Sequence, residues 1–185
     1  SFPARRSSDL GIVLNVAAIV FMVPLGVSTG AAVRVGQAYG ARDPAGVTRA
    51  GFVAFLVMTV FGILISLAVW PNSAFIASAY TGSALTLAMA IPALALSCLM
   101  YWPDSLQVVA AASLRARGDV WLPTYTHLAS YIVVMMPLAW WLAIPQGMGI
   151  LGMVTAIIIA SVISASLLLI RFWILARRDA SMSGA

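Results

Sequence analysis

Asp104 is the residue whose chemical type and position point most directly to chemistry. It is the only charged residue between Arg49 and Arg115, within a long apolar stretch. A carboxylate there is expected inside a lipid bilayer, where an ionisable group is costly and usually serves the movement of an ion or substrate. Such a group can exchange a proton for a small cation. The sequence therefore predicts a cation- or proton-coupling site at Asp104, with sodium as the candidate metal ion.

Polar neighbours are expected to complete this site. Residues three or four apart share a helical face, which places Tyr101 one turn before Asp104 and Gln107 one turn after it. Both side chains can donate a hydrogen bond to a carboxylate. Pro103 has no N–H, and should leave the carbonyl of Leu99 free beneath Asp104. These groups predict a nest for a cation or proton; the alternative is a protonated structural carboxyl that bonds a neighbouring helix.

Further polar and aromatic residues are candidates for lining a substrate cavity. Asn15, in the first apolar segment, can face a cavity or bond another helix, and Ser97 lies on the helical face of Asp104. Trp102 can stack on an aromatic cation, although tryptophans near helix ends usually form an interfacial belt. His127 can relay protons, but a lone histidine more often packs or forms a structural hydrogen bond.

Prolines inside three apolar segments are expected to bend their helices. Pro24, Pro103 and Pro137 each remove a backbone hydrogen bond and crowd the carbonyl four residues earlier. Small residues at 26–32 let helix backbones approach closely in lipid. Bent and closely packed helices suit a transporter, and they equally suit ordinary packing in a membrane bundle.

The composition is that of an integral membrane protein. Of the 185 residues 63% are hydrophobic and 8% charged, and the mean hydropathy is +1.05. Soluble domains usually carry about 25% charged residues. The net charge of +5 does not indicate nucleic-acid binding, because the arginines cluster where apolar segments end. With no glutamate, metal-ligand cluster or phosphate-binding glycine loop in the sequence, neither an enzyme nor a cofactor beyond a coupling ion is expected.

Five apolar segments are long enough to cross a bilayer, since a helical span needs about 20 residues. They predict an all-α, polytopic transmembrane bundle. The predicted spans are 11–38, 47–70, 84–114, 121–144 and 150–175. Residues 179–185 are expected to form a disordered tail. Residues 1–10 are interpreted as a non-native cloning or assembly scar, because Arg5 to Leu10 match the translated end of a sequencing adapter, which leaves 11–178 as the bundle.

The arginines predict the orientation of the bundle. All eight arginines after residue 10 fall on one side of the five-span arrangement. The positive-inside rule makes that side, and with it the C-terminus, cytoplasmic. Arg5 and Arg6 would fall on the opposite side, which further disfavours residues 1–10 as native sequence.

Three segments resemble the multidrug and toxic compound extrusion (MATE) family of transporters. Residues 21–43, FMVPLGVSTGAAVRVGQAYGARD, resemble the family's eighth helix. Residues 101–119, YWPDSLQVVAAASLRARGD, resemble the tenth helix of its bacterial NorM-like branch. Residues 148–172, MGILGMVTAIIIASVISASLLLIRF, are similar to its last helix. The resemblance covers the chain from Gly11 to Arg178.

The resemblance implies a fold and a function. Members have twelve helices in two lobes and export mostly cationic, aromatic compounds in exchange for sodium ions or protons. The five spans would be helices eight to twelve, in the C-terminal lobe, in the bacterial inner membrane. Asp104 would occupy the place of the tenth-helix aspartate in that lobe's cation site, whose partner carboxylate lies on the seventh helix. The chain would then be a fragment, inactive without the N-terminal lobe of the same protein.

Two other functions remain open. A lipid-linked saccharide flippase of the same superfamily would line its cavity with cationic residues, whereas the mid-membrane charge here is acidic. A non-transporting membrane scaffold subunit would not need Asp104 to be ionisable. The favoured hypothesis is an antiporter for small cationic drug-like compounds, in which Asp104 binds the coupling ion, Tyr101 and Gln107 shape its shell, and bends at Pro103 and Pro24 move.

Overall fold

Helices account for nearly all of the chain. The structure, a computed structural model, describes the backbone of residues 2–183 and the side chains of residues 11 and 13–182. Within that part no strand occurs, so the predicted all-α fold is confirmed. The elements are α1 (Phe2–Gly40), α2 (Pro44–Val69), α3 (Ser73–Tyr80), α4 (Ala84–Ala116), α5 (Trp121–Ala129), a π-helical segment (Ser130–Met135), α6 (Met136–Ala143) and α7 (Gly149–Ser183).

Five helical stretches in the described residues are long and apolar enough to cross a membrane. They coincide with the five predicted spans, and only the end of the last one differs by more than a few residues. The stretches are Val13–Gly40, Pro44–Val69, Ala84–Ala116, Trp121–Ala143 and Gly149–Met182. The predicted multi-span bundle is therefore confirmed, and the second connection additionally contains the short helix α3.

Local sequence explains where the helices begin and end. Asp43 caps α2, because its carboxylate accepts a hydrogen bond of 2.9 Å from the N–H of Gly46. Pro44 follows at the first helical position, where its missing N–H costs nothing. At the end of α4, Gly118 adopts a φ of +86°, which glycine tolerates without strain. The N–H of Asp119 then bonds back to the last turn of α4.

The longest buried surface belongs to α4, which packs against α1, α2, α3 and α7. One core cluster, around Met58, Leu114 and Phe172, lies toward the end of α4. A second, around Leu94 and Val154, lies toward its start. The helix that carries Asp104 is therefore the element on which the first, second and fifth spans assemble, whereas the fourth span packs mainly on α7.

The fourth span is one helical stretch, as predicted, but it is not α-helical throughout. A π-helical turn interrupts it at Ser130–Met135, where the N–H of Met136 bonds to the carbonyl of Tyr131, five residues earlier. Pro137 lies two residues after this segment, and its ring would clash with the carbonyl four residues back in a regular helix. The wider π turn relieves that clash. Pro24 and Pro103 lie inside unbroken α-helices, and bending there stays a prediction.

The ends of the chain differ from expectation in one respect. The predicted disordered tail is wrong for residues 179–183, which continue α7 to Ser183. The reason is an ion pair of 2.5 Å between Asp179 and Arg117, which holds the last turns of α7 against the end of α4. Residues 184–185 lie outside the described part. The backbone at Phe2–Leu10 is continuous with α1, and its interpretation as a scar stays a prediction.

Candidate functional site

The side chain of Asp104 belongs to a polar network between α4 and the π segment. The amide nitrogen of Gln107 donates to Oδ1 of Asp104 at 2.5 Å. The same nitrogen donates to the hydroxyl of Tyr131 at 3.1 Å. Asp104 is half-buried, whereas Gln107 is only 2% exposed. The hydrogen bond expected from Gln107 to Asp104 is therefore formed, and it extends to a second span.

Oxygen atoms around this network are not fully satisfied. Oε1 of Gln107 is buried and has no hydrogen-bond partner among the residues that the structure describes. Oγ of Ser161 on α7 is likewise buried and has no hydrogen-bond partner among the described residues. A buried acceptor without a partner typically costs about 1–3 kcal/mol. Such groups call for an explanation, and an ion or ligand is one.

The chemistry of this donor set suits a proton or a hard cation. Carboxylate, amide and hydroxyl oxygens are the ligands that such cations prefer. Within the described residues no group of three or more His, Cys, Asp or Glu side chains comes together. Asp104 also forms no ion pair with any described residue, and sodium binding by Asp104 stays a prediction.

The expected hydrogen bond from Tyr101 to Asp104 is not formed. The Tyr101 hydroxyl instead lies 3.2 Å from Oγ of Ser97, which itself donates to the carbonyl of Leu94 at 2.7 Å. The reason is the direction of helical side chains, which lean toward the N-terminus of the helix. The long tyrosine side chain therefore reaches back to Ser97 and away from Asp104.

Trp102 lies on a different side of α4 from Asp104. Its indole N–H donates to Oγ1 of Thr59 on α2 at 3.3 Å. Its Cα is so close to Gly62 that a Cβ added to that glycine would lie 2.9 Å away. Two residues of helix correspond to about 200° of rotation. The structure thus places Trp102 in the α2–α4 interface, where it is 48% exposed, and does not bring it to the Asp104 network.

His127 and Asn15 occupy contrasting positions. Nδ1 of His127 lies 3.2 Å from Oγ of Ser164 on α7, and its ring centroid is 6.4 Å from that of Tyr131. His127 is therefore adjacent to the network through Tyr131. Asn15 is exposed on α1, on the outside of the bundle formed by the described residues.

Tyr131 is the member of the network that sequence reasoning missed. It lies on a span distant in sequence from Asp104, so no local spacing relates it to that residue. The available signal for Tyr131 was Pro137, six residues later. A proline inside a span predicts a helical irregularity just before it, and π turns frequently occur at functional sites.

The helix ends that carry the arginines meet at one end of the bundle, called here the basic end. Arg117 pairs with Asp179, and Arg171 pairs with Asp119 at 2.9 Å. The Arg117 guanidinium also lies 5.7 Å from the ring centroid of Tyr39 on α1. These contacts join α1, α4 and α7, as the predicted one-sided placement of arginines requires. Which side of the membrane this end faces stays a prediction.

The sequence of this chain is similar to those of known proteins. A family model described as MatE matches residues 8–141. The chain is 58% identical over 168 residues to "Probable multidrug resistance protein NorM" of Caulobacter vibrioides, covering 91% of this chain and 36% of that protein. It is 38% identical over 173 residues to the protein of the same name from Mesorhizobium japonicum, covering 91% and 36%. The chain thus spans about a third of the length of these curated relatives.

Solved structures with the same helix arrangement include the eukaryotic MATE transporter AtDTX14. It superposes with a TM-score of 0.87 at 21% identity, over 98% of this chain and 42% of that one. An inward-facing multidrug resistance MATE family transporter of the MOP superfamily superposes with a TM-score of 0.85 at 15% identity, over 97% and 41%. At such identities the likeness shows the fold alone.

Proposed function

The chain belongs to the MatE family, as its resemblance predicted, and we propose that it forms part of a cation-coupled multidrug efflux antiporter. Its relatives are named as multidrug resistance proteins. Its five apolar helices are those of a multi-pass membrane protein. In this proposal the spans are helices eight to twelve of the C-terminal lobe, placed in the bacterial inner membrane with the basic end in the cytoplasm.

The observation that carries the proposal is the depth and bonding of Asp104. It lies twelve residues before Ala116, or ~18 Å along the helix axis. The hydrocarbon core of a bilayer is about 30 Å thick, so Asp104 falls well inside it. A carboxylate at that depth whose side-chain bond comes from neutral Gln107 is poised to take up a proton or a sodium ion.

Gln107 couples this charge to a second span. A hydrogen bond to a charged carboxylate is roughly twice as strong as one to a neutral group. When a proton or cation neutralises Asp104, the Gln107 amide is held less strongly by Asp104 and is freer to follow Tyr131. The contact between α4 and the π segment then changes with the ionic state of Asp104. Movement of the fourth span, together with bends at Pro24 and Pro103, would open the site to alternate sides.

Antiport follows if the ion and the drug compete for one acidic site. A cationic aromatic substrate is attracted by ionised Asp104 and loses that attraction when the coupling ion binds. The rest of the binding cavity would be supplied by the N-terminal lobe of the same protein. This chain alone is therefore expected to hold part of the ion site and not to transport.

The test is Asp104→Asn in a full-length protein that carries this segment. We expect loss of ethidium efflux and of drug resistance, with normal amounts of protein in the membrane. Asp43→Asn is the matched control, because asparagine caps a helix as well as aspartate does, and Asp43 lies at the end of α2. Normal efflux by Asp104→Asn would overturn the proposal and favour a non-transporting scaffold.

A further inference from the structure

A groove of about 720 Å³ runs between α1 and α2 toward the basic end. Its floor consists of small and aliphatic residues, among them Gly30, Ala50 and Val53. Arg34 and Arg49 stand on its two walls. The volume lies within the range of roughly 300–1,000 Å³ that is typical of small-molecule sites. The groove therefore has an apolar part, formed by these small and aliphatic residues and called here the apolar slot. Beside the slot lie two cationic side chains from different helices.

The two arginines lie just inside the hydrocarbon core, within reach of the lipid headgroups. Arg34 is six residues before Gly40, and Arg49 is five residues after Pro44, which puts both ~8–9 Å from the helix ends. The two spans contain 28 and 26 residues, so each is ~40 Å long and extends ~5 Å beyond either side of the hydrocarbon core. Long arginine side chains at this level reach outward to the phosphate layer.

The charge at this level of the groove lacks a protein counterpart. Neither Arg34 nor Arg49 forms an ion pair with any residue in the described part of the chain, whereas Arg117 and Arg171 are both paired there. None of the groove's described lining residues carries a carboxylate. The nearby Asp43 is engaged as the cap of α2. The groove is thus complementary to a negatively charged group.

We infer that this groove binds an anionic phospholipid, with one acyl chain in the apolar slot and the phosphate held by Arg34 and Arg49. Guanidinium groups match phosphate geometry with paired hydrogen bonds. Val53 and Val57 beside the slot are 56% and 45% exposed, so in the described chain the slot opens on an apolar face of two membrane spans. A free phosphate ion would leave that slot unfilled. This site goes beyond the proposed efflux function and does not depend on it.

The test uses the purified chain in detergent micelles that contain either dioleoylphosphatidylglycerol or dioleoylphosphatidylcholine, with retained lipid counted by native mass spectrometry. We expect selective retention of phosphatidylglycerol. The double variant Arg34→Gln/Arg49→Gln should reduce that retention roughly tenfold. Arg177→Gln/Arg178→Gln is the matched control, because it removes the same charge near the basic end of the bundle but outside the groove, and it should retain lipid normally.

Filling the slot separates lipid binding from general charge attraction. A Cβ at Gly30 meets no atom within 4 Å, so Gly30→Leu should fold, keep both arginines and still lose phosphatidylglycerol. Circular dichroism checks that each variant keeps its helical content. Equal losses in the control pair, equal retention of phosphatidylcholine, or displacement by inorganic phosphate would each overturn the inference. Full retention of phosphatidylglycerol by Gly30→Leu would also overturn the inference. It would indicate that a protein segment, and not an acyl chain, occupies the slot.

Discussion

At the scale of single residues, Gln107 combines a buried position with an unsatisfied oxygen. Replacing Gln107 by leucine removes its two hydrogen bonds and also removes the buried Oε1 that lacks a partner in the described structure. Because these effects oppose each other, we expect the free energy of unfolding to change by no more than about 1 kcal/mol. Export by a full-length protein carrying Gln107→Leu should nevertheless be lost.

The control for this substitution is Ser113→Ala. Oγ of Ser113 is also buried on α4 without a partner among the described residues, but Ser113 takes no part in the network. Thermal unfolding in detergent and ethidium efflux should both remain near native values for Ser113→Ala. A large loss of stability in Gln107→Leu would instead show that the network is structural.

Two tyrosines on neighbouring spans offer a second comparison at this scale. Tyr131→Phe removes the hydroxyl that Gln107 bonds, whereas Tyr101→Phe removes only the contact with Ser97. We expect Tyr131→Phe to reduce efflux severalfold and Tyr101→Phe to leave it near normal, each at a stability cost of about 1 kcal/mol. If an efflux assay showed a larger loss for Tyr101→Phe than for Tyr131→Phe, Tyr101 would be a member of the ion site.

The sequence predicted local parts of the site better than those that join two spans. The Gln107–Asp104 bond could be predicted, because a spacing of three residues on one helix fixes their proximity. The direction of the Tyr101 side chain was missed, because placing two residues on one helical face does not consider that helical side chains point toward the N-terminus of the helix. Tyr131 could not be placed, because its distance to Gln107 depends on how two spans pack.

At the scale of elements, Pro137 maintains the π turn that presents Tyr131. Pro137→Ala restores the missing N–H and allows the segment Ser130–Met135 to become regular α-helix. Removing the extra residue of the turn rotates the preceding part of the span by about 100°, which carries Tyr131 away from Gln107. We expect slower amide hydrogen exchange in the segment and reduced efflux.

Pro123→Ala is the control for that change. Pro123 lies in the first turn of α5, where its missing N–H removes no helical hydrogen bond. Its replacement should alter neither hydrogen exchange at residues 130–135 nor efflux. Unchanged exchange in Pro137→Ala would mean that packing, and not this proline, holds the π turn.

The spans themselves could be predicted because length and apolar composition decide whether a helix can cross a bilayer. The same criteria could not reveal α3, which lies in an uncharged connection. Nor could they show that the fourth span contains a π turn, because a helix can accommodate an internal proline in more than one way, for example by a kink or by a π turn.

At the scale of the whole molecule, Arg117 holds three helices together at the basic end. Its side chain is 2% exposed, and it pairs with Asp179, which is 21% exposed. Its guanidinium also lies 5.7 Å from the Tyr39 ring centroid and 5.6 Å from that of Phe172. One arginine thus links α4, α1 and α7. Arg117 and Asp179 are 62 residues apart, so neither local pattern nor charge counting could predict their contact.

Removing one partner of this pair should destabilise the whole bundle. Asp179→Asn leaves a buried guanidinium without its counter-charge, and Nε and Nη1 of Arg117 already lack partners within the described residues. Loss of one member of a buried pair costs about 3–5 kcal/mol, and the partial exposure of Asp179 reduces that to roughly 2–3 kcal/mol. The midpoint of thermal unfolding in detergent should fall accordingly.

Asp119→Asn provides the matched comparison, because the pair of Asp119 with Arg171 is more exposed, at 17% and 33%. Its loss should cost less than about 1 kcal/mol. Truncation after Arg178 should lower the unfolding midpoint as much as Asp179→Asn does, since both remove the same carboxylate. Equal effects of Asp179→Asn and Asp119→Asn, or a much larger effect of truncation, would show that the last turns of α7 are held by other contacts. If Asp179→Asn acts as expected, the basic end is anchored through one buried charge, and α7 is part of the folded bundle up to its last described turn.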